Sequence, residues 1–183
     1  EAYKEVVNTG ESVTTQNLAS YQHKTDWMCN ICSDCHKIKQ GSEGDIWSKY
    51  SNKEACEIML GYVNNLRKEY KAANPGFYHA TDKVTLIYDE KLTELANIRA
   101  KELATSYSHD TGTRTGAYEC IGRGQNTIQT AFEKWMQSTE HHNIMIHKNG
   151  AKFGYGRYID PNGTVYNCLL IWEAGWSAEL WEM

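Results

Sequence analysis

The segment from Thr164 to Trp172 restricts the fold more than any other part of the chain, because it is apolar at both parities: Tyr166, Cys168, Leu170 and Trp172 alternate with Val165, Leu169 and Ile171. Successive side chains of a strand point to opposite faces, so this segment can be buried only inside a sheet that is covered on each side. It follows Asp160-Pro161-Asn162-Gly163, a sequence with turn chemistry, and a second strand-like run from Lys152 to Ile159. The two runs are expected to pair as an antiparallel hairpin. Asn162-Gly163-Thr164 also spells a glycosylation sequon, for which the turn reading is preferred.

The layers that cover the sheet are legible as helices. Ser51 and Glu54 form a capping box, and Ala55, Met59, Tyr62, Val63, Leu66 and Tyr70 then recur on one helical face until Asn74-Pro75-Gly76 stops the ladder. Asp89 is placed to cap a second helix with Leu92, Leu95, Ala96, Ala100 and Leu103 turned inward. Ile128, Ala131, Phe132, Trp135 and Met136 give a third helix, and Ser138 caps a short fourth one. The predicted fold is α+β: an α-β-α sandwich with a central, mainly antiparallel sheet.

With 183 residues, the chain suits one domain and flanking segments. We divide it into an N-terminal extension with a cysteine cluster (1–50), a domain (51–175) and a C-terminal tail (176–183). The first 26 residues are polar and read as an arm; Trp27, the three clustered cysteines and Trp47 can anchor an appendage. A formal net charge of -4 gives no basic field, so no nucleic acid is expected as a partner. The longest apolar runs, Val84 to Tyr88 and Cys168 to Trp172, fall short of the roughly 20 residues of a membrane span, so no transmembrane segment is expected. The sequence starts at Glu1 with no signal-type apolar core after it, and reads as a mature or trimmed form.

Six cysteines, at 29, 32, 35, 56, 120 and 168, favour an oxidising compartment, hence a secreted or cell-surface protein. Cys29, Cys32, Cys35 and Cys56 are disulfide candidates with three possible pairings; Cys29-x-x-Cys32-x-x-Cys35-His36 also permits a zinc or redox reading. Cys120 and Cys168 would form a further bridge if their segments are neighbours.

Several short patterns then occur in order: Met59-Leu60, Leu103-Ala104 to Ser108-His109, Tyr118-Glu119-Cys120-Ile121, Phe132 to Trp135, Ser138 to His141, and Phe153-Gly154-Tyr155-Gly156. Each is weak and together they are specific. Over residues 55 to 173 the chain resembles the CAP superfamily, the cysteine-rich secretory, antigen 5 and pathogenesis-related proteins, in its bacterial SCP-like branch. The resemblance implies a central cleft faced by two histidines and acidic side chains, which in some members holds a divalent metal. By position these are His109, Glu119 and His141. The chain departs where Gly-Glu-Asn and Pro-Gly are common, carrying Tyr118-Glu119-Cys120 and Thr139-Glu140, and it has Ser138 where many members place a second acid. Glu133 and Glu140 are possible substitutes, although a solvated helix face accounts for Glu133 and the positive end of the short helix for Glu140.

Two neutral imidazoles with Glu119 would make a three-ligand set for Zn²⁺ or another divalent ion. The competing reading is that these groups bond to each other and fix the second helix against the sheet. His142 and His147 follow no ligand spacing and read as rim residues, and His79 sits in a loop. No Gly-x-Ser-x-Gly elbow occurs, and Cys120 lacks an assignable base. The expected function is a secreted binding protein whose cleft takes an extracellular small molecule, lipid, glycan or protein. The alternatives are a metal-assisted hydrolase, with Glu119 accepting a proton from metal-bound water, and an interaction protein acting through its cysteine-rich N-terminal segment.

Overall fold

A computed structural model describes residues 50–175. Four helices and four strands follow in the order α1 (Asn52–Ala73), β1 (Ile87–Tyr88), α2 (Glu90–Leu103), β2 (Tyr118–Arg123), α3 (Ile128–Met136), α4 (Thr139–Met145), β3 (Gly150–Ile159) and β4 (Val165–Glu173). The expected helix starts are in place: the Ser51 hydroxyl accepts from the Glu54 N–H while the Glu54 carboxylate accepts from the Ser51 N–H, and Asp89 accepts from the Leu92 N–H. Ser138 likewise caps α4. Among the described residues no helix is long and apolar enough to cross a membrane.

The sheet order is β1-β3-β4-β2, with β1 parallel to β3 and the other two pairings antiparallel. β3 and β4 form the hairpin that the turn sequence predicts, closing with Ile159 opposite Val165. β4 lies between β3 and β2, and every residue from Val165 to Trp172 is buried. One parity, Tyr166, Cys168, Leu170 and Trp172, packs with Leu92, Ala96, Ala100 and Leu103 of α2. The other parity, Val165, Leu169 and Ile171, packs with Met59, Tyr62 and Val63 of α1, Phe132 and Trp135 of α3 and Met145 of α4. The α-β-α sandwich is therefore present, with α2 alone on one face and three helices on the other.

α2 reaches the sheet through the two glycines of Gly154-Tyr155-Gly156. A Cβ at Gly154 would run into the backbone of Leu92, and one at Gly156 into the backbone of Ala96 and Asn97. The helix backbone lies directly on β3, which brings the buried side of α2 down to the level of β2.

Pairing of β2 with β4 sets Ile121 opposite Cys168 and Cys120 opposite Leu169. Cys120 and Cys168 are consequently out of step by one residue and on opposite faces, Cys120 in the core under α1 and α3 and Cys168 in the core under α2. The bridge expected between them is not formed. Cys56, Cys120 and Cys168 are free and buried. Cys29, Cys32 and Cys35 lie outside the described residues.

Candidate functional site

Glu119 shares a strand parity with Ile121 and so faces α2, where Arg99 meets it. Arg99 is on the buried stripe of its helix, three residues past Ala96 and four before Leu103, and its side chain is only 1% exposed. A buried guanidinium must find acceptors for all five of its N–H groups. Nε donates to Glu119 Oε2 (2.8 Å) and Nη2 to Glu119 Oε1 (3.1 Å), a two-pronged contact. Nη1 donates to Glu102 Oε2 (2.9 Å) and the Thr111 carbonyl (2.8 Å), and Nη2 also to the Ser108 carbonyl (3.1 Å). Hydrogen bonding to Glu119 raises the Arg99 pKa further above its ordinary value, against the opposing effect of burial.

Glu119, 11% exposed, is satisfied as completely. Its Oε1 also lies 2.9 Å from His109 Nδ1, and its Oε2 accepts weakly from the Cys168 thiol at 3.7 Å. The Nδ1 nitrogen of His109 is therefore committed to Glu119, and Nε2 is the ring nitrogen left for other contacts. His109 is 52% exposed and forms the outer member of the chain Arg99–Glu119–His109.

Beside this chain of side chains the loop between α2 and β2 borders an open cleft of about 450 Å³, walled by His109, Thr111, Thr113, Arg114, Thr115 and Glu119 among others. Arg99 holds the loop through Ser108 and Thr111. Glu102 holds it through the Thr113 N–H (2.8 Å) and hydroxyl (2.7 Å). Gly112, at φ +82°, belongs to the same clamp, since a Cβ there would strike Arg99 and Glu102.

His141 arrives from the other side. It is in the first turn of α4, which packs on the face opposite α2, and its ring tilts against Trp135 at 6.4 Å between centroids. Burial lowers its pKa, with the charge of His109 acting in the same direction and Glu140 opposing them. The hydrogen-bonded pair of the site is His109 with Glu119.

The three-ligand zinc set expected of His109, Glu119 and His141 does not fit this arrangement. Glu119 is committed to a guanidinium, and among the described residues no three His, Cys, Asp or Glu side chains are grouped to hold a metal ion. The competing expectation, of side chains that bond to each other and fix α2 to the sheet, matches the observed contacts of Glu119.

Glu133 also departs from expectation. It is buried, at 3% exposure, rather than on a solvated face, and accepts from Gln129 Nε2 at 2.7 Å. Glu140 is exposed in the first turn of α4, where a carboxylate favours the positive helix end. His142 packs edge-on against Tyr70, and His147 lies over the Tyr118 ring at 4.4 Å. Arg99 itself was not anticipated. Its signal was present, a charged residue at a core position of an otherwise apolar helical stripe.

A helix-sheet-helix sandwich with a polar cleft at the edge of β2, opened by the loop that leads into it, defines the structural class. The family model described as "Cysteine-rich secretory protein family", CAP, matches residues 60–172, and the chain belongs to that family. No curated protein sequence matches it. Among solved structures, it is similar to an outer surface protein of Borrelia burgdorferi (18% identity, TM-score 0.50, 67% of this chain and 94% of that one). Venom allergen-like protein 4 of Schistosoma mansoni is comparable (16% identity, TM-score 0.52, 67% and 90%). These likenesses concern the fold.

Proposed function

We propose that this chain is a secreted or cell-surface binding protein that receives a polar extracellular ligand, a small molecule or a glycan, in the cleft beside His109. The binding unit is residues 51–175, flanked by an extension (1–50) and a tail (176–183). The observation that carries the reading is the open cleft of about 450 Å³ lined by Thr111, Thr113, Thr115, Arg114 and the His109 imidazole among others. Its volume falls in the range of small-molecule sites. Arg114 and the exposed His109 ring at the rim suit hydroxyl-rich or anionic groups. Membership of an extracellular family supports the location. His109 is oriented by Glu119 through Nδ1, which leaves its Nε2 to hydrogen-bond a polar group of the ligand.

The full chain, screened in EDTA buffer on a glycan array and against a polar-metabolite panel by thermal shift, should yield a binder. His109→Ala should weaken that binder at least tenfold with an unchanged circular dichroism spectrum. Undiminished binding by His109→Ala, or steady turnover of the bound molecule, would refute the proposal.

A further inference from the structure

The Glu119 carboxylate offers about four lone-pair positions. All four are taken: Arg99 Nε and Nη2, His109 Nδ1 and the Cys168 thiol. The Arg99 guanidinium has five N–H groups, and all five are placed, two on Glu119, one on Glu102 and two on the carbonyls of Ser108 and Thr111. A cation approaching Glu119 would have to displace one of these donors and stand beside a buried positive charge. The guanidinium of Arg99 is also confined, since Gly112 leaves no room even for a Cβ beside its Nη1. Swinging the guanidinium aside would release two loop carbonyls and the Glu102 contact together.

We propose that Arg99 is the residue that sets the cation specificity of this cleft: its guanidinium is the permanent partner of Glu119 and withholds that carboxylate from any divalent metal. The ligand reading above does not depend on this, because that screen is run in EDTA, whereas the present proposal is decided by zinc alone. What Arg99 contributes is a fixed positive charge that holds Glu119 in place, aimed at His109 Nδ1. This contact also frees the orientation of His109 from metal availability in the surroundings.

The test uses the full chain labelled with ¹⁵N at histidine, so that zinc taken up by the N-terminal cysteines does not confuse the readout. Zinc titration of the wild type should leave the His109 and His141 imidazole signals unmoved, or move them only weakly. Arg99→Met, which keeps the side-chain volume and removes the charge, should bind zinc at those imidazoles at least tenfold more tightly. Equal or weaker zinc binding by a folded Arg99→Met protein would overturn the proposal. If that variant does not fold, zinc-soaked crystals of the wild type decide. Glu119 still held by Arg99 supports the proposal, whether or not zinc reaches the histidines, and Glu119 oxygen on zinc with Arg99 displaced overturns it.

Discussion

Two arginines, each completely buried at a helical core position, are the most informative residues of the domain. Arg99 neutralises a carboxylate. Arg67 has none: its Nε donates to the Val84 carbonyl (2.7 Å), Nη1 to those of Met145 (2.9 Å) and His147 (2.8 Å), and Nη2 to that of Lys83 (2.8 Å), while the Tyr78 ring lies against its guanidinium. The carbonyl of Met145 belongs to the last turn of α4, where the helix dipole favours a positive charge. Arg67→Met should therefore leave several buried carbonyls without donors, at a cost of about 3 kcal/mol, measurable as a lower urea midpoint. Glu102 offers a test against pH. Burial works to raise its pKa, but the donors of Thr113 and Arg99 outweigh it and hold the carboxyl below its ordinary value. A carboxyl lowered in the folded state adds stability that is complete above the unfolded pKa of about 4.3 and is lost as pH falls through the folded value. Glu102→Gln should thus be less stable than the wild type near neutrality and lose less on acidification, a difference that urea titrations between about pH 3 and pH 6 would reveal. If the two proteins lose stability in parallel, the clamp on Thr113 is not what lowers this carboxyl.

At the scale of elements, the contact between α2 and β3 decides how close the candidate cleft lies to the sheet. Gly154→Ala would drive a methyl into the backbone of Leu92, where no side-chain rotation can relieve it. A destabilisation of about 2 to 3 kcal/mol is expected, in the range of overpacked cores, together with altered His109 chemical shifts as α2 moves away. The helices were legible in the sequence because capping residues and apolar spacing agree, as at Ser51 with Glu54 and at Asp89 with Leu92. β4 was legible from its double parity. β1 was not, since its two residues, inside the short apolar run Val84 to Tyr88, are too few to carry a periodicity. The site was legible in part. Ser108-His109 and Tyr118-Glu119 could be picked out, and they do meet. The placement of His141 on the opposite face depends on which side of the sheet α4 packs, and a sequence of turns and caps does not encode that choice locally. Glu133 misled for a related reason: a carboxylate flanked by Phe132 and Lys134 looks solvated until the rotation of α3 is known.

For the molecule as a whole, the cysteine pattern has to be read by face rather than by count. An even number suggested bridges, but strand register separates Cys120 from Cys168, and Cys56 instead receives the Thr93 hydroxyl at 3.3 Å on its sulfur. Burial raises the pKa of all three thiols, that of Cys56 to about 11, which keeps them protonated and unreactive at neutral pH. Mass spectrometry after alkylation should find Cys56, Cys120 and Cys168 unlabelled in the native protein and labelled as single thiols in denaturant without reductant. A cross-linked Cys120–Cys168 peptide would contradict the register of β2 on β4. The consequence reaches beyond chemistry at those sulfurs. A sandwich held by interdigitating side chains and two hydrogen-bonded guanidinium groups has no bridge among its described cysteines, so residues 51–175 should acquire their shape equally well in glutathione-rich cytosol and in culture medium, and dithiothreitol should leave the unfolding temperature of the sandwich where it was.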